Sequence, residues 1–319
     1  MTTVEGYKNE IIEYCKNFQS KFHENEKDVI KPYELWLYFP NIRVGIEFNA
    51  LTEDRNDYLV DRNYHLNKLE ECKKQNVRLI QIFEDEWVNR KEIVLNKIRH
   101  ILEKRVNLDE NILEKWENNT EAPLEKCKEL PKIMGRKCLI KEITKIEAKE
   151  FLNTYHVQGF VCSSVYLGAF YNDNLIAVMQ FKKEISDSDN WELTRFASNY
   201  NYVCQGIGGK LFKYFVRNYN PLQIKSFADR RWTVDEKNNI YIQLGFKFDY
   251  YVLPDYHYFK ESDGIIRQHK FNFRKKILNK KYGLPLTMTE WEMVKELNYL
   301  RIYDCGLIKY VWKKEKEVD

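Results

Sequence analysis

Long hydrophobic runs are missing from this chain of 319 residues. No apolar segment approaches the length of a membrane span, and the N-terminal MTTVEGYKNE lacks the apolar region of a secretory signal. The seven cysteines are scattered and form no CxxC pair, which argues against structural zinc. The sequence therefore predicts a reduced, intracellular protein with no membrane partner.

A strong excess of one charge is also missing. The formal net charge is +4, with 31% charged and 44% hydrophobic residues, as expected for a soluble globular protein. A mildly basic chain permits nucleic-acid binding through local patches without requiring it. Glycine and alanine are sparse, which indicates an AT-rich coding source more than a function. The length suffices for two domains of ordinary size.

Two folded blocks are predicted, joined by a linker. The first block has amphipathic helices, strand-like runs and one buried β-branched strand, at residues 5–17 (helix), Leu35–Phe39 and Val44–Phe48 (strands), Tyr64–Lys74 (helix), Val77–Phe83 (strand) and Val88–Leu102 (helix). Residues 105–135 are polar, contain Pro123 and Pro131 and show no period, so we interpret them as the linker.

The second block alternates strands with helices and contains a hairpin, which is typical of an α+β domain. Its predicted elements are the strand Leu139–Ile143, the helix Lys145–Tyr155, the hairpin Val165–Tyr171 with Leu175–Phe181, the strand Trp191–Phe196, the helix Gly206–Arg217, the strand Ile224–Ala228 and the helix Asn239–Leu244.

Carboxylates in the first block suggest metal-dependent nuclease chemistry. Such enzymes need at least two carboxylates close together to hold a divalent cation that activates water. Glu34 and Glu47 belong to neighbouring predicted strands and Glu10 to the first helix. Because alternate residues of neighbouring strands share a face, we expect the three to converge.

The segments KPYELWLYFPNIRVGIEFNALTED and YHLNKLEECKKQNVRLIQIFEDEW resemble phage homing endonucleases related to the very-short-patch-repair nuclease. These form the EDxHD branch of the PD-(D/E)XK superfamily. The resemblance covers residues 1–104 and implies an α/β, restriction-endonuclease-like domain that uses Mg²⁺ and acts on DNA. It implies site roles for Glu10, Glu47 and His65, and Asn49, Asp85 and Glu86 also match.

Two positions depart from that family pattern. Trp36 stands where the family has its principal aspartate ligand, and the family's Trp-His pair is replaced by residues around Glu53 and Asp54. An indole does not ligate a cation, so we expect cleavage to be impaired or the metal site to be rebuilt from Glu34, Glu47 and Asp54. Alternatively, His65 is structural and Glu84-Asp85-Glu86 is a solvated acidic turn.

A glycine-rich loop, QGIGGKLFKYF, opens a predicted helix in the second block. Backbone N–H groups at such a position suit a pyrophosphate, although the loop alone is a weak motif. In the context GAFYNDNLIAVMQF, ELTRF and IYIQLGFK, the block resembles the GNAT N-acyltransferase fold. This resemblance implies an acyl-CoA cofactor whose pyrophosphate is bound by the loop residues Gln205, Gly206, Gly208 and Gly209.

The segments YHVQG and FADRRW…NIYIQLGF resemble the Mom-like branch of that fold, which modifies adenine in DNA. The resemblance implies that His156, Asp229 and Tyr241 are the polar site residues. Each also has a structural alternative: His156 ends a helix, Asp229 pairs with a neighbouring arginine, and Tyr241 is a core aromatic.

Basic and aromatic residues alternate in two places, a pattern that suits phosphate contact and base stacking. The candidate nucleic-acid contacts are Arg230, Arg231, Trp232, Arg267, Lys270, Arg274 and Lys275. A solvated basic face is the alternative. Thr289, in TMTEWEMVKEL, is expected to cap a helix.

The predicted organisation is a nuclease-like domain (1–104), a linker (105–135), a GNAT/Mom-like domain (136–262) and a basic C-terminal extension (263–319). Three functions follow: a homing-endonuclease-like protein acting on DNA, an acyl-CoA-dependent DNA-modifying transferase, and a pseudoenzyme that binds nucleic acid or a protein in phage conflict. We favour the nuclease lineage for the whole chain, and we expect the protein to retain DNA binding even if cleavage is impaired. For a phage protein the location would be the host cytoplasm.

Overall fold

The computed structural model describes residues 3–18, 21–51, 61–107, 130–185, 189–233 and 235–315. The helices are α1 Val4–Lys16, α2 Tyr64–Lys74, α3 Glu84–Asn107, α4 Lys145–Tyr155, α5 Ile207–Tyr219, α6 Ile240–Gln243, α7 Lys275–Tyr282 and α8 Glu290–Glu296. The strands are β1 His23–Glu26, β2 Leu35–Phe39, β3 Val44–Asn49, β4 Arg78–Phe83, β5 Lys132–Met134, β6 Leu139–Glu142, β7 Val165–Tyr171, β8 Asn174–Lys183, β9 Asn190–Ser198, β10 Val203–Gln205, β11 Gln223–Asp229, β12 Lys247–Val252, β13 Tyr256–Phe259, β14 Gln268–His269, β15 Leu300–Tyr303 and β16 Leu307–Lys313.

The chain divides into two units, each made of two separate segments. One unit is Met1–Leu124 with Leu253–Gly306, and the other is Glu125–Val252 with Leu307–Asp319. The mixed α/β class is confirmed. Among the described residues, no helix combines the length and apolar character needed to cross a membrane.

The first unit contains a four-stranded sheet in the order β1-β2-β3-β4. Its strands pair antiparallel except β3 and β4, which run parallel. Every residue of β2, β3 and β4 is buried, which explains their nearly continuous apolar sequences. The helix predicted at Val88–Leu102 is longer, spanning Glu84–Asn107, and its backbone leaves helical geometry at Arg90.

The segment 253–306 adds a small sheet in the order β14-β13-β15, with α7 and α8. Thr289 caps α8 in a reciprocal capping box with Glu292, which confirms the predicted cap. Phe259 and Ile302 of this segment pack with Leu51 and Phe83. These contacts place the segment in the first unit.

The second unit is built on a seven-stranded sheet in the order β12-β16-β11-β9-β8-β7-β6. Neighbours pair antiparallel except β9 and β11, which run parallel. One face packs against α5 through Leu211 and Phe215, and the other packs against α4 through Phe151 and Leu152. The helix α5 has a strongly one-sided apolar stripe because it covers a broad sheet.

The structure divides the predicted extension 263–319. Residues Leu307–Lys313 form β16, an interior strand of the seven-stranded sheet, whereas residues before Gly306 belong to the first unit. The partners of β16, strands β11 and β12, lie far upstream in sequence, so the local sequence pattern does not reveal this pairing. The end of the predicted linker also differs from the prediction, because Lys132–Met134 forms the strand β5, which pairs with β10. Residues 108–129 lie outside the described residues.

Candidate cofactor-binding site

The parallel strands β9 and β11 part before they end. Their pairing runs from Asn190 opposite Gln223 to Leu193 opposite Ser226. Beyond that point β9 continues to Ser198 and β11 to Asp229. The backbone groups beyond Leu193 and Ser226 therefore border a gap at the carboxyl ends of the two strands, the end where open α/β sheets bind ligands.

A β-bulge in β9 coincides with this parting. Phe181 of β8 pairs with Leu193 and Gln180 pairs with Arg195, so Thr194 is the additional residue. The Thr194 hydroxyl accepts from Gln180 Nε2 at 3.1 Å and donates to the Gln180 carbonyl at 3.2 Å. It also lies 2.8 Å from the Ser163 hydroxyl. This largely buried hydrogen-bond network links the bulged residue to β8, and the pairing of β9 with β11 ends at the residue before it.

The glycine-rich loop lies beside the gap. A Cβ on Gly208 would be 3.2 Å from the Phe196 ring of β9 and 3.3 Å from Ile240 of α6. Gly206 is the N-cap of α5, with φ of +72°, a conformation that favours glycine. Sequence and structure agree that this loop opens a helix.

The start of α5 has no side-chain cap and no acidic residue in its first turn. A Cβ on Gly206 or Gly209 would meet no atom within 4 Å. The N–H groups of the first helical turn have no intrahelical acceptor, and the helix dipole favours an anion there. Both features fit the diphosphate of a coenzyme A, as the sequence predicts.

Gly135 is a loop residue that sequence analysis missed. A Cβ there would lie 2.8 Å from the Gly206 backbone, so the turn Gly135–Lys137 can approach the loop only with glycine at this position. The Lys210 ammonium donates to the carbonyls of Cys138 at 2.5 Å and Arg136 at 3.3 Å, which ties the same turn to α5. The available signal was the Gly135-Arg136 dipeptide at the end of the predicted linker.

Tyr241 lies on α6, where its ring stacks on Tyr310 with centroids 4.9 Å apart. Asn239 caps this helix by accepting from the Tyr241 backbone N–H at 2.9 Å. Burial raises the pKa of the Tyr241 phenol, while a hydrogen bond with Ser226 and the positive charge of Arg195 oppose this increase and Asp229 adds to it. The phenol therefore stays protonated at neutral pH and lies among residues from both parted strands.

Asp229, at the end of β11, is held by Arg231. Its carboxylate accepts from the Arg231 backbone N–H at 2.9 Å and from the guanidinium at 2.7 and 3.2 Å. The Arg231 side chain is 4% exposed, so this is a nearly buried ion pair. The structure thus shows the ion pair that the sequence offered as the alternative to catalysis.

His156 is the C-cap of α4, where its Nδ1 accepts from the Gln158 backbone N–H at 3.1 Å. Arg195 Nε of β9 donates to the Gly159 carbonyl at 3.0 Å, which fastens the segment after His156 to the bulged strand. Arg195 and the Gln180–Thr194 network were missed, because their hydrogen-bond partners lie on other strands and loops, which the alternation of one short strand does not identify.

The predicted metal site of the first unit has a different environment. Glu47 forms an ion pair with Lys68 at 2.5 Å, with side chains 7% and 1% exposed. Glu10 pairs with Lys91 at 2.6 Å, and Glu34 is half exposed with Lys27 at 4.0 Å. Asp54 lies outside the described residues, so the predicted site is not complete in the structure. Within the described part, no three His, Cys, Asp or Glu side chains could hold a metal ion together.

His65 on α2 and Trp36 in strand β2 are both buried in the first unit. The His65 ring lies between the rings of Tyr64 and Phe83, at 5.3 and 5.2 Å. Trp36 donates its backbone N–H to Glu47 at 3.4 Å. These positions suit structural roles, since neither side chain opens to solvent.

The predicted nucleic-acid residues fall into two groups. Arg267 bridges Asp85 at 2.8 Å and Glu86 at 2.9 Å, and Lys270 pairs with Asp255 at 2.7 Å. Phosphate contact by these two, or by Arg231, would require an ion pair to open. The others are half-buried or exposed: Arg230 over the Tyr251 ring at 4.5 Å, Trp232, Arg274 over the Phe271 ring at 4.2 Å, and Lys275.

No protein-family model and no curated protein matches this chain. Solved acetyltransferases are similar to it over about half its length. A GNAT-family acetyltransferase from Elizabethkingia anophelis with acetyl-CoA bound is 15% identical, with a TM-score of 0.32, covering 56% of this chain and 99% of its own. A Bacillus subtilis acetyltransferase in complex with CoA is 13% identical, with a TM-score of 0.34, covering 56% and 100%.

A third similar structure, the IAA acetyltransferase from Bacillus cereus, is 14% identical, with a TM-score of 0.30, covering 56% of this chain and 99% of its own. Likenesses this distant do not assign an activity. Nothing in these comparisons supports the predicted nuclease lineage, the DNA target or a phage source, which stay predictions.

Proposed function

We propose that the second unit is an acyltransferase that binds an acyl-coenzyme A between β9 and β11. The observation that carries this proposal is the uncapped, glycine-rich start of α5 beside the gap where two parallel strands part. A bound acyl-coenzyme A would supply an activated acyl group as a thioester.

Each group of residues at this site is suited to contact a different part of the cofactor. First-turn N–H groups of α5, from Ile207 to Gly209, are suited to bind the diphosphate. Backbone groups of β9 and β11 beyond the last paired residues, Leu193 and Ser226, are suited to hold an amide-bearing arm in the gap. Tyr241 keeps its proton and is suited to donate to a leaving thiolate, with Arg195 nearby.

Gly209 offers a direct test, because a side chain there points into open space. Gly209→Glu places a negative charge where the diphosphate would bind, while an acidic residue in the first turn is favourable for the helix itself. We expect at least a tenfold loss of acetyl-CoA affinity by calorimetry, with an unchanged or higher melting temperature. This magnitude corresponds to about 1.4 kcal/mol.

Gly209→Gln is the matched control, because it adds nearly the same bulk without the charge. It should retain more affinity than Gly209→Glu. Equal affinity of wild type and Gly209→Glu for acetyl-CoA would refute the assigned phosphate site, and so would a wild-type protein that binds no acyl-CoA or CoA.

A further inference from the structure

The segment between Asp263 and Glu290 contains seven Lys and Arg residues and no Asp or Glu. Part of this charge is neutralised within the first unit, where Arg267 and Lys270 pair with carboxylates. The remainder is concentrated on and before α7. The exposed basic and aromatic residues there are Phe271, Arg274, Lys276, Lys280, Lys281 and Tyr282, which we call the α7 basic surface.

The cations of this surface lack a nearby carboxylate in the part of the chain that the structure describes. Among the described residues, no carboxylate lies within ion-pair distance of Arg274, Lys276, Lys280 or Lys281. Lys276 and Lys280 are four residues apart on α7, so they project from the same side of the helix. Clustered cations create a local positive potential that attracts an external polyanion.

Two exposed rings accompany these cations. Phe271 is 51% exposed, and the Arg274 guanidinium lies over it at 4.2 Å while the His269 ring stacks on it at 4.7 Å. Tyr282 is 42% exposed, with the Lys281 ammonium 4.8 Å from its centroid. Alternating rings and cations are the elements with which proteins stack bases and contact phosphates.

We propose that the α7 basic surface binds nucleic acid through its phosphate backbone, with Phe271 stacking on an unpaired base. A lipid surface fits less well, because a membrane-lying helix separates an apolar face from a basic face. Here α7 has eight residues, its basic residues occur in both turns, and Leu278 is buried inside the unit. The proposal concerns the first unit and stands apart from the acyl-CoA site.

The test compares two double variants of the full chain. Lys276→Glu with Lys280→Glu alters the surface, and Lys149→Glu with Lys213→Glu lowers the net charge equally at exposed helical positions of the second unit. Binding to a short fluorescein-labelled duplex, and to its single strand, is followed by anisotropy between about 50 and 200 mM salt. The first pair should weaken binding at least tenfold and reduce the salt slope by about two, while the control pair should have a much smaller effect.

Phe271→Ala should weaken single-strand binding more than duplex binding, which a purely structural role of the ring would not produce. The circular dichroism of each variant should match that of wild type. Equal losses in the two double variants would overturn the proposal. It would also fail if the wild-type chain bound neither DNA form at low salt, or bound phosphatidylserine vesicles in preference to both.

Discussion

The Glu47 carboxylate and the Lys68 ammonium form an ion pair that is almost wholly shielded from water, at 7% and 1% exposure. Removing one partner of such a pair leaves an uncompensated charge in a low-dielectric interior. A carboxylate paired in this way would have to release the ammonium before it could hold a divalent cation. At the scale of single residues, the pair therefore makes a stability role of Glu47 testable, while its role as a metal ligand stays a prediction.

We expect Lys68→Met to lower the free energy of unfolding by about 3–5 kcal/mol, because Glu47 would remain buried without its partner. The double variant Glu47→Leu with Lys68→Met should recover most of this loss. Urea denaturation followed by tryptophan fluorescence measures both. Lys74→Met is the control, since Lys74 is 69% exposed in its pair with Glu71 and should change stability by less than about 1 kcal/mol. A Lys68→Met loss no larger than that of the control would contradict this role.

The bulged strand β9 is the element on which the candidate site depends. Thr194 is linked to the backbone and side chain of Gln180, a residue with no exposed surface. Valine has nearly the same shape as threonine but can neither accept from Gln180 nor donate to it. The bulged residue would then lose the side-chain hydrogen bonds that link it to Gln180 of β8.

We expect Thr194→Val to cost about 1–3 kcal/mol of stability, because a buried donor loses its acceptor. It should also weaken acetyl-CoA binding, because the parting of β9 from β11 follows the bulge. Thermal unfolding and calorimetry measure the two effects. Thr154→Val, at an exposed helical position, makes the same substitution without a buried network and should leave acetyl-CoA binding unchanged. If Thr194→Val bound acetyl-CoA with wild-type affinity, cofactor binding would not depend on the hydrogen bonds of the bulge.

Several elements could be predicted from local pattern alone. The bounds of Leu35–Phe39, Tyr64–Lys74, Lys145–Tyr155 and Val165–Tyr171 are confirmed, because each has a recognisable apolar pattern flanked by polar or turn-forming residues. The bulge at Thr194 and the close approach of Gly135 to Gly206 could not be predicted, since both depend on residues distant in sequence. The Glu47–Lys68 pair was missed for the same reason: alternation places residues on a face but does not pair charges.

At the scale of the whole molecule, the two units are interleaved along the chain. Val252 at the end of β12 pairs directly with Leu307 at the start of β16. The segment 253–306 therefore leaves and re-enters the seven-stranded sheet at neighbouring positions, as an insertion into a hairpin would. It carries the α7 basic surface, whereas the proposed acyl-CoA site depends on residues of the second unit. The two proposed activities thus belong to separable parts of the sequence.

We expect the second unit to fold without this insertion. A chain that starts at residue 125, with residues 253–306 replaced by Asn-Gly, would join β12 to β16 through a two-residue turn suited to paired antiparallel strands. It should show a cooperative thermal transition and bind acetyl-CoA with the affinity of the full chain, because the parted strands and the start of α5 lie within it. It should also lose nucleic-acid binding. The same chain carrying Gly209→Glu is the control for specific cofactor binding. A folded product that no longer bound acetyl-CoA would show that the first unit completes the site, and retained nucleic-acid binding would place that surface outside the segment 253–306.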